Sequence, residues 1–312
     1  MKHNLRWKAT LVTGAIAFAA ALAWTQKSTA ADDAAPGAVT MTVTAVGKKD
    51  MAPPTINKDD VQFYIGKERT QVADWRKGET LYLAILIDDS LEPNVALQWN
   101  DLKAFMMAQP ESTYIAVAYA QNGAAVIAQD FTKDHALAAK ALRMPIAFGG
   151  AFTSPYLALQ DWIKRWPDSN ERKSILMFSS GIDYFRGTFD PVDPDVDTTI
   201  EQAQKKNINI WTIYAPDAGH RAHRNYVLFL SQGFLSRVSG ESGAESFYIG
   251  YIPPVTFKPY FDELQTHLNN QYLLTFVGKS ETKGRFERVR VGSELHDVEF
   301  LAAPQAFVPA AK

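Results

Sequence analysis

The most regular feature of the chain is the way apolar runs stop at polar clusters. Residues 81–87 read Leu-Tyr-Leu-Ala-Ile-Leu-Ile with no polar break. A run of that length without alternation predicts a strand buried on both faces of a parallel sheet. It ends abruptly in Asp88-Asp89-Ser90-Leu91-Glu92, where such sheets gather ligands, beyond the carboxyl ends of the strands. Residues 174–178 and 208–214 repeat the apolar run and predict two further strands. Residues 114–119 and 124–128 flank Gln121-Asn122-Gly123 and predict a hairpin, because Asn-Gly suits its tight turn.

Between these strands the apolar spacing changes to the helical one. Val95, Leu97, Trp99, Leu102, Phe105 and Met106 predict a helix over 95–107. Asp134 is placed to cap a helix running to Arg143, and Ser154-Pro155 opens one over 156–166, with proline in the first turn where it is tolerated. Residues 198–206 and 257–269 predict two more helices. Strand and helix alternating in this way give an α/β fold: a doubly wound, mostly parallel sheet with helices on both faces, over 81–270.

The flanks read differently. Residues 39–44 alternate β-branched and polar positions, and 61–65 form a second strand before Gly66-Lys67. After the last helix, residues 271–277, 286–291 and 298–301 return to strand patterns. The expectation is a small β module in which strands of 31–80 pair with those of 271–312. Ahead of it, Lys2, Arg6 and Lys8 precede an apolar run over 9–24 and small residues at Ser28-Thr29-Ala30. That is the grammar of a secretory signal peptide over 1–30, cleaved to leave Ala31 or Asp32 first. The run is short for a span that needs about 20 apolar residues, so no membrane span is expected after cleavage.

Composition narrows the partners. The leader holds four cations and no acid, so its loss takes the formal net charge from −2 to −6. Nucleic acid and anionic lipid are poor partners for such a chain, and a protein partner is expected. There is no cysteine. The exported chain must therefore be held by its core alone.

Three clusters, in order, resemble the metal-ion-dependent adhesion site of von Willebrand factor type A domains. The first is Asp88-x-Ser90-x-Glu92, where the family has Asp-x-Ser-x-Ser. The second is Gly149-Gly-Ala-Phe-Thr153, followed by Ala158-Leu159. The third is Phe178-Ser179-Ser180-Gly181, where the family has Thr-Asp-Gly. Asp60-Val-Gln-Phe63 and Tyr272-Leu-Leu274 are also similar to strands flanking the domain in bacterial exported proteins called VWFA-related. The resemblance implies a ligand-binding site at Asp88, Ser90, Glu92, Thr153 and Ser180, with Asp88, Ser90 and Thr153 as the metal ligands that remain.

In the family those oxygens hold a Mg²⁺ with one position open to a partner's carboxylate, and such an ion demands an octahedral oxygen set. Here Glu92 brings a carboxylate where a hydroxyl belongs, and Ser180 removes one. Glu92 either enters the open position itself or caps the helix ahead of Pro93. The expectation is a degenerate site with no cofactor, Mg²⁺ being the one candidate, in a non-enzymatic adhesion or scaffold module.

Other clusters carry alternatives. Asp190, Asp193, Asp195 and Asp197 crowd one loop and suit either Ca²⁺ or a solvated acidic turn in which Asp197 caps the next helix. His220 and His223, near Asp217, are the zinc candidates. Ser179 or Ser180 with one of those histidines gives a serine-hydrolase reading, although the Gly-x-Ser-x-Gly elbow is absent. A structural component of an envelope assembly is the third reading.

Overall fold

A computed structural model describes residues 37–48, 51–147, 153–186, 191–218, 225–248, 255–278 and 283–310. The leader and residues 31–36 lie outside the described residues, as do His220, His223 and Asp190. No helix of the described residues is long and apolar enough to cross a membrane.

The chain opens with β1 (Ala38–Gly47), β2 (Val61–Ile65), β3 (Glu68–Arg69) and β4 (Asp74–Lys77), then β5 (Leu81–Asp88). Next come α1 (Trp99–Met107), β6 (Thr113–Gln121), β7 (Ala124–Thr132), α2 (His135–Lys140), α3 (Pro155–Lys164) and β8 (Arg172–Ser179). They are followed by α4 (Pro194–Lys206), β9 (Asn209–Tyr214), α5 (Asn225–Glu241), β10 (Ser246–Tyr248) and α6 (Lys258–Asn269). The chain closes with β11 (Gln271–Val277), β12 (Arg285–Ser293), β13 (Val298–Ala302) and β14 (Gln305–Val308).

Six strands form the central sheet in the order β10-β9-β8-β5-β6-β7. All pairs are parallel except β6–β7, which the Asn122-Gly123 turn folds back with both residues at positive φ. β5 sits between β8 and β6, and its apolar side chains are buried along both faces. The doubly wound, mostly parallel sheet expected from the sequence is present, with the strand order reversing beside β5.

The flanking strands form two antiparallel four-stranded sheets, β13-β1-β11-β4 and β14-β12-β2-β3. They share one core, in which Val43, Leu274 and Phe276 meet Phe63, Val289 and Val308. The Phe63 and Phe276 ring centroids are 4.6 Å apart. The N- and C-terminal strands thus pair as expected, β1 with β11 and β2 with β12. The module is a complete sandwich, larger than the two plus three strands legible in the sequence.

Several local expectations change. The helix expected over 95–107 begins as a 3₁₀ turn, Pro93–Gln98, before α1 takes over, a common way for a helix to start. The helix after Asp134 stops at Lys140, although Asp134 does cap it, accepting from the Leu137 N–H at 2.9 Å. Asp193, not Asp197, caps α4, because the helix starts four residues earlier, at Pro194. Phe276→Ala should lower stability by about 3–5 kcal/mol, since it opens a cavity between two sheets that cannot close over it. Urea unfolding, with the midpoint falling and the slope unchanged, is the readout.

Candidate functional site at the carboxyl edge of the sheet

β5, β8 and β9 run in parallel, so their last residues emerge at one edge. Asp88 is the last residue of β5 and is buried. One of its oxygens accepts from the Ser90 N–H at 3.0 Å and the Ser90 hydroxyl at 2.7 Å. The other accepts from the Ser179 hydroxyl at 2.8 Å. Burial pushes the Asp88 carboxyl above the ordinary carboxylate range. The bonds from Ser90 and Ser179 pull it back in part, and the Asp217 carboxylate nearby pushes it up again.

Asp217 follows β9 and is brought in by the backbone. Leu91 and Asp217 form an antiparallel bridge, the Ala218 N–H donates to the Ser90 carbonyl at 2.9 Å, and the Glu92 N–H donates to the Pro216 carbonyl at 3.0 Å. The Tyr184 hydroxyl donates to the Asp217 carboxylate. Burial, then that bonded carboxylate, pushes the Tyr184 hydroxyl far up from its ordinary range.

The second and third loops are laced together. The Thr153 carbonyl accepts from the N–H groups of Tyr184 at 2.9 Å and Phe185 at 3.1 Å. Ser154 caps α3 and donates to Asp183 at 2.6 Å. Gly181 turns at φ 73°, and a Cβ there would stand 2.6 Å from the Ser231 carbonyl of α5. Only glycine fits both the left-handed backbone and that approach.

The residues expected from the sequence are therefore unequal in role. Asp88 and Ser90 bond directly, and Thr153 and Ser180 are buried on the neighbouring loops. Asp88 takes its third-loop bond from Ser179; the Ser180 hydroxyl accepts instead from the Ile182 N–H at 3.4 Å. Glu92 occupies the cap position of the 3₁₀ turn, but its side chain makes no capping hydrogen bond.

Three participants escaped the sequence reading. Asp217 was weighed only beside the histidines; its signal was an apolar strand ending in an acid, as at Asp88. Asp89, the variable position of the first motif, is buried and takes both guanidinium nitrogens of Arg143 at 2.7 and 2.6 Å. Arg143 also lies over the Tyr119 ring, 3.7 Å from its centroid. Asp183 joins Asp193 and Asp195, with carboxylate oxygens within 4.8 Å of one another. In the first turn of α4, Asp195 is paired to Arg186 at 2.7 Å and Asp197 to Arg237 at 2.6 Å.

A magnesium ion needs oxygen lone pairs converging on one point. Both Asp88 oxygens accept protein donors, Asp217 accepts from Tyr184, and the third loop offers a hydroxyl turned to its own backbone. Each of these oxygens thus already takes part in hydrogen bonding within the protein, and those with a single bond keep a further lone pair.

The strand order with its antiparallel edge strand makes the fold von Willebrand factor type A-like; Gly149 to Phe152 of the second motif lie outside the described residues. No family model matches the chain, and no curated protein does. Among solved structures, it is similar to a von Willebrand factor type A protein from Catenulispora acidiphila, at 11% identity over 88% of this chain and 74% of that one, TM-score 0.44. It is also similar to an aerotolerance-related membrane protein from Bacteroides fragilis NCTC 9343, at 10% identity over 61% and 98%, TM-score 0.45. A third is the manganese-loaded TRAP protein of Plasmodium vivax, at 11% identity over 78% and 97%, TM-score 0.40.

The raised Asp88 carboxyl sets a pH dependence. A carboxyl whose pKa is higher folded than unfolded favours the native state most when protonated, below the unfolded value near pH ~4. That contribution is lost as pH rises through the elevated folded value. Asp88→Asn removes the charge and keeps one acceptor for Ser90, with its amide N–H donating to a rotated Ser179 hydroxyl. Its melting temperature should therefore exceed the parent's at about pH 7 and fall back toward it below about pH 4. Paired thermal melts across that range read the difference. A variant less stable than the parent at neutral pH would mean that the ionised carboxylate is needed.

Proposed function

We propose that this chain is an exported, non-enzymatic protein-binding module that engages its partner through the loops at the carboxyl edge of the parallel sheet. The observation that carries this reading is the apolar rim of that edge. Leu97 after β5, Met144 and Ile146 before α3, Phe185 after β8, Phe229 in the first turns of α5 and Val255 before α6 all stand on it and are exposed. Leu97, Phe229 and Val255 are 76%, 78% and 96% accessible. Large exposed apolar side chains in the connections around a polar centre are what an interaction surface presents.

The leader supports export. Ser179 supports binding over hydrolysis, because its hydroxyl is buried and committed to Asp88. A nucleophile needs access and a base.

The test is capture of a protein partner from the producing cell's envelope or medium by the immobilised mature chain. A Leu97→Asp/Phe229→Asp double variant should lose about tenfold or more in affinity, as for central apolar anchors. Met107→Asp, at the far end of α1 from this edge and also exposed, should leave capture intact. Equal capture by parent and double variant would sink the proposal.

The adhesion site is proposed to be degenerate and to hold no resident divalent ion. Thermal melts in millimolar Mg²⁺ and in chelator should coincide, since a ligand stabilises only above its dissociation constant. A rise of several degrees with Mg²⁺ that Asp88→Ala abolishes would restore metal-dependent adhesion.

A further inference from the structure

On the opposite edge of the parallel sheet, Glu263 and His267 line a cleft of about 500 Å³, and Glu245 joins them in a cluster of possible ligands. His267, in the last turn of α6, is 5% exposed. Glu263 stands one turn earlier on the same helix, so both side chains share a face. Glu245 arrives from the segment just before β10, held there by the Thr212 N–H donating to its carbonyl at 3.3 Å. The end of β1, through Ala45, Val46 and Gly47, supplies the far wall of the cleft.

The His267 ring is fixed by stacking on Trp211, with centroids 5.4 Å apart and planes 16° from parallel. Its Nε2 lies 3.1 Å from a Glu245 oxygen and 3.9 Å from a Glu263 oxygen. Neither oxygen lies where the nitrogen can hydrogen-bond it: Nε2 is buried without a hydrogen-bond partner. A buried polar nitrogen in that state calls for a ligand.

The spacing identifies the kind of ligand. In a tetrahedral zinc site with bonds near 2.0–2.1 Å, neighbouring donor atoms stand roughly 3.3 Å apart. The Glu245 oxygen is at that separation already. The Glu263 side chain is 56% exposed and free to close the remaining gap by rotation. An imidazole with two carboxylates suits zinc and its transition-metal neighbours, whereas Mg²⁺ and Ca²⁺ take all-oxygen sets.

We propose that His267, Glu245 and Glu263 form a binding site for a zinc-class divalent cation, with the fourth coordination position open to the cleft. The ion would tie α6 to the start of β10, beside the point where the helix hands the chain to β11. None of the three residues belongs to the carboxyl-edge loops, so the site stands or falls independently of the binding face.

Titration calorimetry of the chelator-stripped mature chain with Zn²⁺ alone tests it. One equivalent should bind with micromolar or tighter affinity. Glu263→Gln, an exposed change that leaves circular dichroism unaltered, should weaken it about tenfold or more, and His267→Gln should abolish it. Co²⁺ in place of Zn²⁺ should give visible absorption of tetrahedral intensity, lost in both variants. No binding up to millimolar Zn²⁺ overturns the proposal. Binding that Glu263→Gln leaves within about threefold overturns it too, and assigns the ion to other residues, such as the Asp183 cluster.

Discussion

A strand buried on both faces can place charge only at its ends, and the rest of this structure depends on β5 obeying that constraint. Its side chains from Leu81 to Ile87 are packed between helices, and its two parallel neighbours hold its backbone. The chain therefore meets polar company first at Asp88. Because β8 and β9 lie in parallel register with β5, their polar continuations are carried to the same edge. The result is a carboxylate deep enough to feel its desolvation, hydrogen-bonded by serine hydroxyls. The whole arrangement follows from the direction in which three strands run.

The sequence was legible where one interaction dominates. Apolar runs marked β5, β8, β9 and β11 because burial on both faces leaves no alternation to misread. The Asn122-Gly123 pair marked its hairpin because few other residues accept that backbone. α5 was not read, and its composition explains why. Ser231 and Ser239 occupy positions on its buried face, among Val227, Leu228, Leu235 and Val238. Hydroxyls there interrupt the apolar stripe, yet they are satisfied in the core, Ser239 bonding to Thr212. A short edge strand such as β4 gains its pairing from β11, about two hundred residues further along the chain, and its own residues say little.

The site was legible in outline and not in its bonding. Motif spacing located Asp88, Ser90, Thr153 and the Ser179-Ser180 pair, because these follow strand or precede helix. It put Ser180 in the third-loop position, whereas Ser179 is the one that bonds Asp88, since that depends on how Gly181 turns the loop against α5. The Asp89–Arg143 pair is invisible to spacing, because its members meet through tertiary packing alone. His267 was passed over for the same reason: its helical neighbour Glu263 is close in sequence, but Glu245 and Trp211 come from elsewhere in the fold.

The α/β domain interrupts the sandwich. β1 to β4 come before it and β11 to β14 after it, and β1 pairs with β11 from Ala38↔Val277 to Thr44↔Gln271. Contacts so remote in sequence carry a large loop-closure cost unless something draws the ends together. The parallel sheet does so, since β5 leaves β4 after three residues and α6 passes directly into β11. A chain emerging N-terminus first would hold β1 without a partner, and β2 with only the two-residue β3, until nearly its whole length is out. Until then their open edges are exposed to pairing with other chains. The maturation of this protein is thus governed by its last strands, and a chain shortened at the C-terminus would be left with an unclosed sandwich beside an otherwise complete α/β domain.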